Sequence, residues 1–304
     1  MTAGDQRRGV LLGAAAYVMW GFFPLYFPLL EPAGPFEILG HRLLWSLVVM
    51  AVVVGAMRKV PQVLALARDR RTLGLLALAG VAVTVNWATY IWGVNHGRVV
   101  ETSLGYFINP LVTMLMGVVL LGERLRRLQW IALGIGAVAV AVLTLDYGRL
   151  PWISLLLAFS FGSYGLAKKK AAAGAFESLA LETSVIAPVA LAYVVGLGAT
   201  GHGHFTTDGP SHVALTIGSG LVTVVPLLCF GAAATRVPMV TLGLLQYLAP
   251  ILQFALGVFY RHEEMSTGRW IGFAVVWVAL VVFTYEAVVF RRRQLRDAVE
   301  AAAV

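Results

Sequence analysis

Charge is what this chain has least of. Of its 304 residues, 12% are charged and 59% hydrophobic, with a mean hydropathy of +0.82. A water-facing surface needs more charge than that, so an ordinary soluble domain is excluded. Cysteine is nearly absent as well. The single Cys229 rules out an internal disulfide and reads as a small core hydrophobe. There is no GxSxG, no HExxH and no Walker-type glycine loop, so neither hydrolysis nor ATP-driven pumping has visible machinery. No cofactor and no metal site are expected. The formal charge of +8 does not indicate nucleic acid, because the basic residues sit in short clusters between apolar runs rather than along one stripe.

Long apolar runs fill the remainder. With about 20 residues needed per crossing, ten spans are predicted near 8–30, 36–57, 72–94, 99–121, 127–145, 151–168, 177–199, 211–233, 238–260 and 269–290. The first run resembles a signal peptide behind Arg7 and Arg8, but it continues to Leu30, too long for a cleaved apolar region. If both termini are cytoplasmic, 18 Lys and Arg fall in inner segments and 4 in outer ones, and Arg42 is the one left over. That asymmetry fits the positive-inside rule. The outer loop 200–212, with His202, His204 and His212, carries no carboxylate cluster and reads as a solvated turn rather than a metal site.

The chain also repeats itself. GVVLLGERLRRLQWIALG, residues 117–134, resembles GVFYRHEEMSTGRWIGFA, residues 257–274, at an offset of 140. Glu123 aligns with Glu263, Trp130 with Trp270, Pro110 with Pro250 and Glu37 with Glu177; Gly21 falls opposite Gly162 at 141. Two five-span units follow, 1–146 and 151–290, with a cytoplasmic tail at 291–304. Five is odd, so the second unit enters from the opposite side. The expected fold is an all-α integral membrane protein of ten transmembrane helices in two inverted five-helix repeats, the plan of secondary transporters.

Polar groups inside spans are costly in hydrocarbon and mark cavities or partners. Arg42, in EILGHRLLWS, lies about six residues into its span, roughly 9 Å from the outer end. It can snorkel to the headgroups, or it can face a transport cavity and attract an anionic or carboxylate-bearing solute. His41 beside it reads as a packing residue. Glu182, in LALETSVIAP, occupies the position equivalent to Arg42, but inversion separates the two by roughly 12 Å of depth in a layer of about 30 Å. A direct salt bridge is therefore not expected, and Glu182 is the candidate proton-coupling carboxylate. Asn86, Asn109 and Gln246 are membrane amides that can join helices or bind solute. Trp20, Tyr90 and Tyr164 are candidate cavity aromatics. The candidate solute-binding set is thus Arg42, Trp20, Asn86, Tyr90, Asn109, Tyr164 and Gln246.

The order of AYVMWGFFPLYF, EILGHRLLWS, LGYFINPLV, LGERL, FSFGSYGLAKK, LALETSVIAP and LGLLQYLAP resembles the RarD-type permeases of the EamA family, within the drug/metabolite transporter superfamily. The resemblance covers essentially the whole chain. It implies a multi-pass permease of the bacterial inner membrane, not an enzyme, that moves a small metabolite or drug-like solute by alternating access. The name of the branch is linked to chloramphenicol, which fixes no substrate. The alternatives are a membrane-embedded enzyme, which would need a base beside a reactive group, or a sensor or assembly subunit. The expected partners are a small-molecule solute and the lipid bilayer, with a homodimer left open and nucleic acid excluded.

Overall fold

Helix boundaries follow local chemistry. In the computed structural model, which describes residues 3–122, 124–234, 236–237 and 239–302, all regular structure among the described residues is helical. The helices are α1 (Ala3–Gly21), α2 (Phe23–Tyr26), α3 (Pro35–Ala56), α4 (Val60–Arg68), α5 (Arg70–Asn95), α6 (Val99–Leu121), α7 (Arg127–Tyr147), α8 (Trp152–Ala171), α9 (Ala175–Ala199), α10 (Gly209–Ala234), α11 (Met239–Leu245), α12 (Leu248–Ala255) and α13 (Thr267–Ala302). Pro35 opens α3 at a position whose amide has no helical partner to lose. Asp69 caps α5 by accepting from the Arg71 and Thr72 amides, each at 3.2 Å. Pro24 and Pro28 lie where the first span breaks into α2 and a 3-10 turn at Phe27–Leu30. Pro110, Pro188 and Pro226 stay within continuous helices.

Nine stretches among the described residues are long and apolar enough to cross a bilayer. The sixth expected span, α8, is not among them, because Lys168, Lys169 and Lys170 occupy its last turn and three serines lie in its body. Sequence periodicity missed α4, a nine-residue helix without a buried residue between α3 and α5. The last helix also runs past the expected tail boundary to Ala302.

The packing has a two-fold logic. Helix α3 packs on α9, α6 on α12 and α7 on α13. Helix α5 packs on α8 as α1 does on α10, α6 on α8 as α1 on α12, and α3 on α10 as α5 on α9. When α1, α3, α5, α6 and α7 are exchanged for α8, α9, α10, α12 and α13, the first three pairings map onto themselves and the others onto their counterparts. Close approaches obey the same exchange. A side-chain carbon on Gly80 would meet the Glu182 carbonyl at 3.0 Å, and one on Gly220 would meet the Trp45 backbone at 2.6 Å. These two glycines, 140 apart in sequence, let α5 lie against α9 and α10 against α3, the small-residue route to tight membrane packing. The largest apolar core joins Phe107 and Leu104 of α6, Phe254 of α12, and Phe273 with Trp277 of α13.

Ion pairs fasten both ends of the bundle. At the end that gathers most basic residues, Lys59 reaches Glu177 at 2.7 Å, and Arg126 pairs with Glu286. At the opposite end, Arg269 holds Asp146 at 3.0 Å and Arg149 holds Glu101 at 2.7 Å. That hydrogen-bonded pairing raises the pKa of the Arg149 guanidinium. Glu263 accepts from the Val99 and Val100 amides at 2.5 and 2.9 Å and so caps α6 from another segment of the chain. Burial raises the Glu263 carboxyl above the usual carboxylate range, although the two amides and two nearby arginines oppose that shift. Its repeat partner Glu123 lies outside the described residues.

The loop expected to be a solvated turn is tied down instead. Glu37 accepts from the His204 backbone amide at 2.6 Å and lies 3.0 Å from its Nδ1. Phe205 stacks on His41 with centroids 4.6 Å apart, and His212 is buried. Glu37 thus holds the loop after α9, as Glu177 holds the loop after α3.

Candidate solute-binding site

Arg42 does not snorkel. It is 3% exposed and lies inside the bundle. Its guanidinium lies 4.1 Å from the Trp87 ring, 5.4 Å from Phe23 and 5.5 Å from Phe27, so aromatic faces replace water around the charge. Arg42 Nε donates to Thr223 Oγ1 at 2.7 Å, a bond from α3 to α10. Phe23 and Phe27 come from the break after α1, four residues apart on one helical face. The hydroxyls of Tyr26, Tyr90 and Tyr106 lie within electrostatic reach of the guanidinium. No carboxylate pairs with Arg42 among the described residues, and Nη1 has no hydrogen-bond partner there.

Asn86 adjoins this cluster. It is buried, donates to the Leu157 carbonyl at 2.9 Å and Ser160 Oγ at 3.1 Å, and accepts from the Tyr106 hydroxyl at 3.1 Å. Both of its polar ends are therefore occupied in this conformation, joining α5 to α8. Tyr90 packs between Phe27 at 6.0 Å and Tyr106 at 5.7 Å, and its buried hydroxyl has no partner among the described residues.

Glu182 belongs to a second cluster. It is 2% exposed, and Lys168 Nζ lies 3.2 Å from its Oε1 while donating to the Tyr164 hydroxyl at 2.9 Å. The two clusters meet at Trp87. The ring stacked on Arg42 also lines a narrow crevice with Leu43, Gly80, Thr84, Glu182 and Ile186, between α3, α5 and α9. Arg42 and Glu182 are thus not an ion pair; the indole beside Arg42 and the Glu182 side chain line one crevice.

The other candidate residues lie in separate contacts. Asn109 accepts from Thr113 Oγ1 at 3.4 Å, within its own helix. Trp20 packs on Tyr17 and Phe230, and its carbonyl accepts from Gln253 Nε2 at 3.1 Å. Gln246 occupies the break between α11 and α12, where its amide donates to the Leu242 carbonyl at 3.0 Å. Sequence reasoning missed Thr223, a lone hydroxyl in an apolar run, and Lys168, hidden in a lysine triplet that reads as a membrane anchor. The i, i+4 spacing of Tyr164 and Lys168 was the available signal for the lysine.

Buried polar links join the two halves of the chain across the bundle interior: Arg42 to Thr223, Asn86 to Ser160, Tyr26 to the Leu215 carbonyl at 2.5 Å, and Gln253 to Trp20. Membrane transporters are one class of protein built as multi-pass helical bundles with buried polar groups, and it is the relatives that place this chain in that class. A sequence profile of the EamA-like transporter family matches residues 7–145. Protein RarD of Streptomyces exfoliatus is 55% identical over 299 residues, covering 98% of this chain and 95% of that one. The uncharacterized transporter YojE of Bacillus subtilis is 39% identical over 299 residues, covering 96% and 98%. A solved crystal structure of another protein, 18% identical, superposes with a TM-score of 0.60 over 91% of this chain and 97% of that one, a likeness of fold alone. The chain belongs to the EamA family of transporters, in its RarD-type branch.

Proposed function

We propose that the protein is a secondary transporter that moves a small metabolite or drug-like solute across the bacterial inner membrane by alternating access. Ten spans in two inverted five-helix units, 1–146 and 151–290, place both termini in the cytoplasm, where the basic end of the bundle lies. The exchange symmetry of helix contacts supports the inversion. Arg42 carries the functional reading. It is a cation buried in the bundle interior without an acidic partner among the described residues, held by the Trp87, Phe23 and Phe27 rings from its own unit and by Thr223 from the other. Such a group is too costly in hydrocarbon to be retained for packing alone.

Solute meets the Arg42 and Trp87 cluster from one side, and Glu182 exchanges a proton in the crevice beyond the same indole. Trp20, Asn86, Tyr90, Asn109, Tyr164 and Gln246 complete the candidate set. The ion pairs and caps at the two ends are the contacts that open in turn as the units rock. The test is flux in proteoliposomes across a broad panel of metabolites. Saturable movement of at least one solute supports the reading, and a null across the panel with folding confirmed overturns it.

A further inference from the structure

We infer that the solute carries a single carboxylate, received by Arg42 Nη1 and the Tyr90 hydroxyl. The inference rests on the transporter reading and adds the charge and shape of the group recognised.

A guanidinium has five N–H donors in a plane, and ring faces satisfy its charge without accepting those donors. Thr223 takes only Nε. Arg42 is 3% exposed and Tyr90 is 2% exposed, so neither group is hydrated as it would be at the surface. Nη1 and the Tyr90 hydroxyl both lack a partner among the described residues, and the Phe27 ring touches both side chains. A buried cation without an opposite charge is strongly destabilising, and a carboxylate offers the charge-assisted, planar acceptor that fits a guanidinium edge. The stoichiometry of charge narrows the class. Lys168, which enters the bundle at the end of α8, is engaged with Glu182. Arg42 therefore balances one negative charge, which favours a monocarboxylate over a dicarboxylate or a phosphate dianion. The aromatic surroundings favour an apolar body behind it.

Titrating the purified full-length protein in nanodiscs with acetate, benzoate and indole-3-acetate, against benzamide, phthalate, phenyl phosphate and chloride, tests this by calorimetry and thermal shift. At least one monocarboxylate should bind roughly tenfold or more tightly than benzamide, phthalate and phenyl phosphate. Arg42→Gln should reduce that binding to the amide level, and Arg42→Lys should restore part of it. Tyr90→Phe, which keeps the ring and the packing, should weaken it by roughly three- to tenfold. No monocarboxylate binding above the amide, or chloride competing as well as benzoate, overturns the inference. Flux assays with neutral and cationic solutes separate the two readings. Transport of such a solute that survives Arg42→Gln overturns carboxylate recognition and leaves the transporter standing. Carboxylate binding without flux of any solute does the reverse.

Discussion

Arg42 and Glu182 occupy equivalent positions, 140 residues apart, and the protein treats them in opposite ways. The arginine is wrapped by rings and given one hydroxyl, with no carboxylate beside it among the described residues. The glutamate is given a lysine from the preceding helix. Both charges are buried, but only one has its charge matched by the protein. On the proposed reading, that difference leaves the arginine available to an incoming molecule and makes the glutamate part of an internal equilibrium.

The comparison breaks first at Arg42. Arg42→Ala should abolish solute flux in proteoliposomes while membrane insertion and the gel-filtration profile stay normal, because the aromatic cage can close over a smaller side chain. Full activity would remove Arg42 from the site. Glu182→Gln keeps the shape of the side chain and removes its charge, so flux should continue but lose its response to an imposed pH gradient. Retained dependence would exclude Glu182 as the proton carrier. Lys168→Met should lower stability by about 1–3 kcal/mol by leaving a buried carboxylate unmatched. The partial exposure of the lysine holds the loss below that of a fully buried pair. Adding Glu182→Gln to Lys168→Met should recover most of the loss in a thermal melt. An effect of similar size, and a smaller one beside it, sharpen the symmetry itself. Gly220→Ala should cost about 1–3 kcal/mol through overpacking, and Gly80→Ala less, since the added carbon would meet backbone at 2.6 Å in the first case and 3.0 Å in the second.

Much of the fold was legible in the sequence because hydrocarbon imposes a length and a composition that survive without knowledge of neighbours. The borders of α3, α6 and α9 lie within a few residues of the expected spans. Helix α8 forms where the apolar run 151–168 predicts a sixth span, but its lysines leave it less apolar than the nine stretches long and apolar enough to cross a bilayer. Helix α4 stayed hidden because a nine-residue surface helix leaves too short a pattern to tell from a loop. At the site, Arg42 and Glu182 stood out by their cost in an apolar run. Phe23, Phe27 and Thr223 did not, because phenylalanine and threonine are ordinary in membrane helices and only tertiary packing brings them to a guanidinium. Depth alone argued correctly against an Arg42 to Glu182 bridge. It could not show that the indole beside Arg42 lines a crevice with Glu182, which depends on which face of α5 turns toward α3 and α9.

The sheathed guanidinium has one more consequence, for leakage. A conduit through an energised membrane must pass its solute without short-circuiting the ion gradients on either side. A fixed positive charge buried in the bundle opposes a stray sodium or hydronium ion by about 4 kcal/mol at 4 Å and an effective dielectric constant of 20, and that corresponds to roughly a thousandfold lower occupancy. On the proposed reading, the residue that attracts an anionic head would thereby also insulate the membrane against cations, with or without solute present.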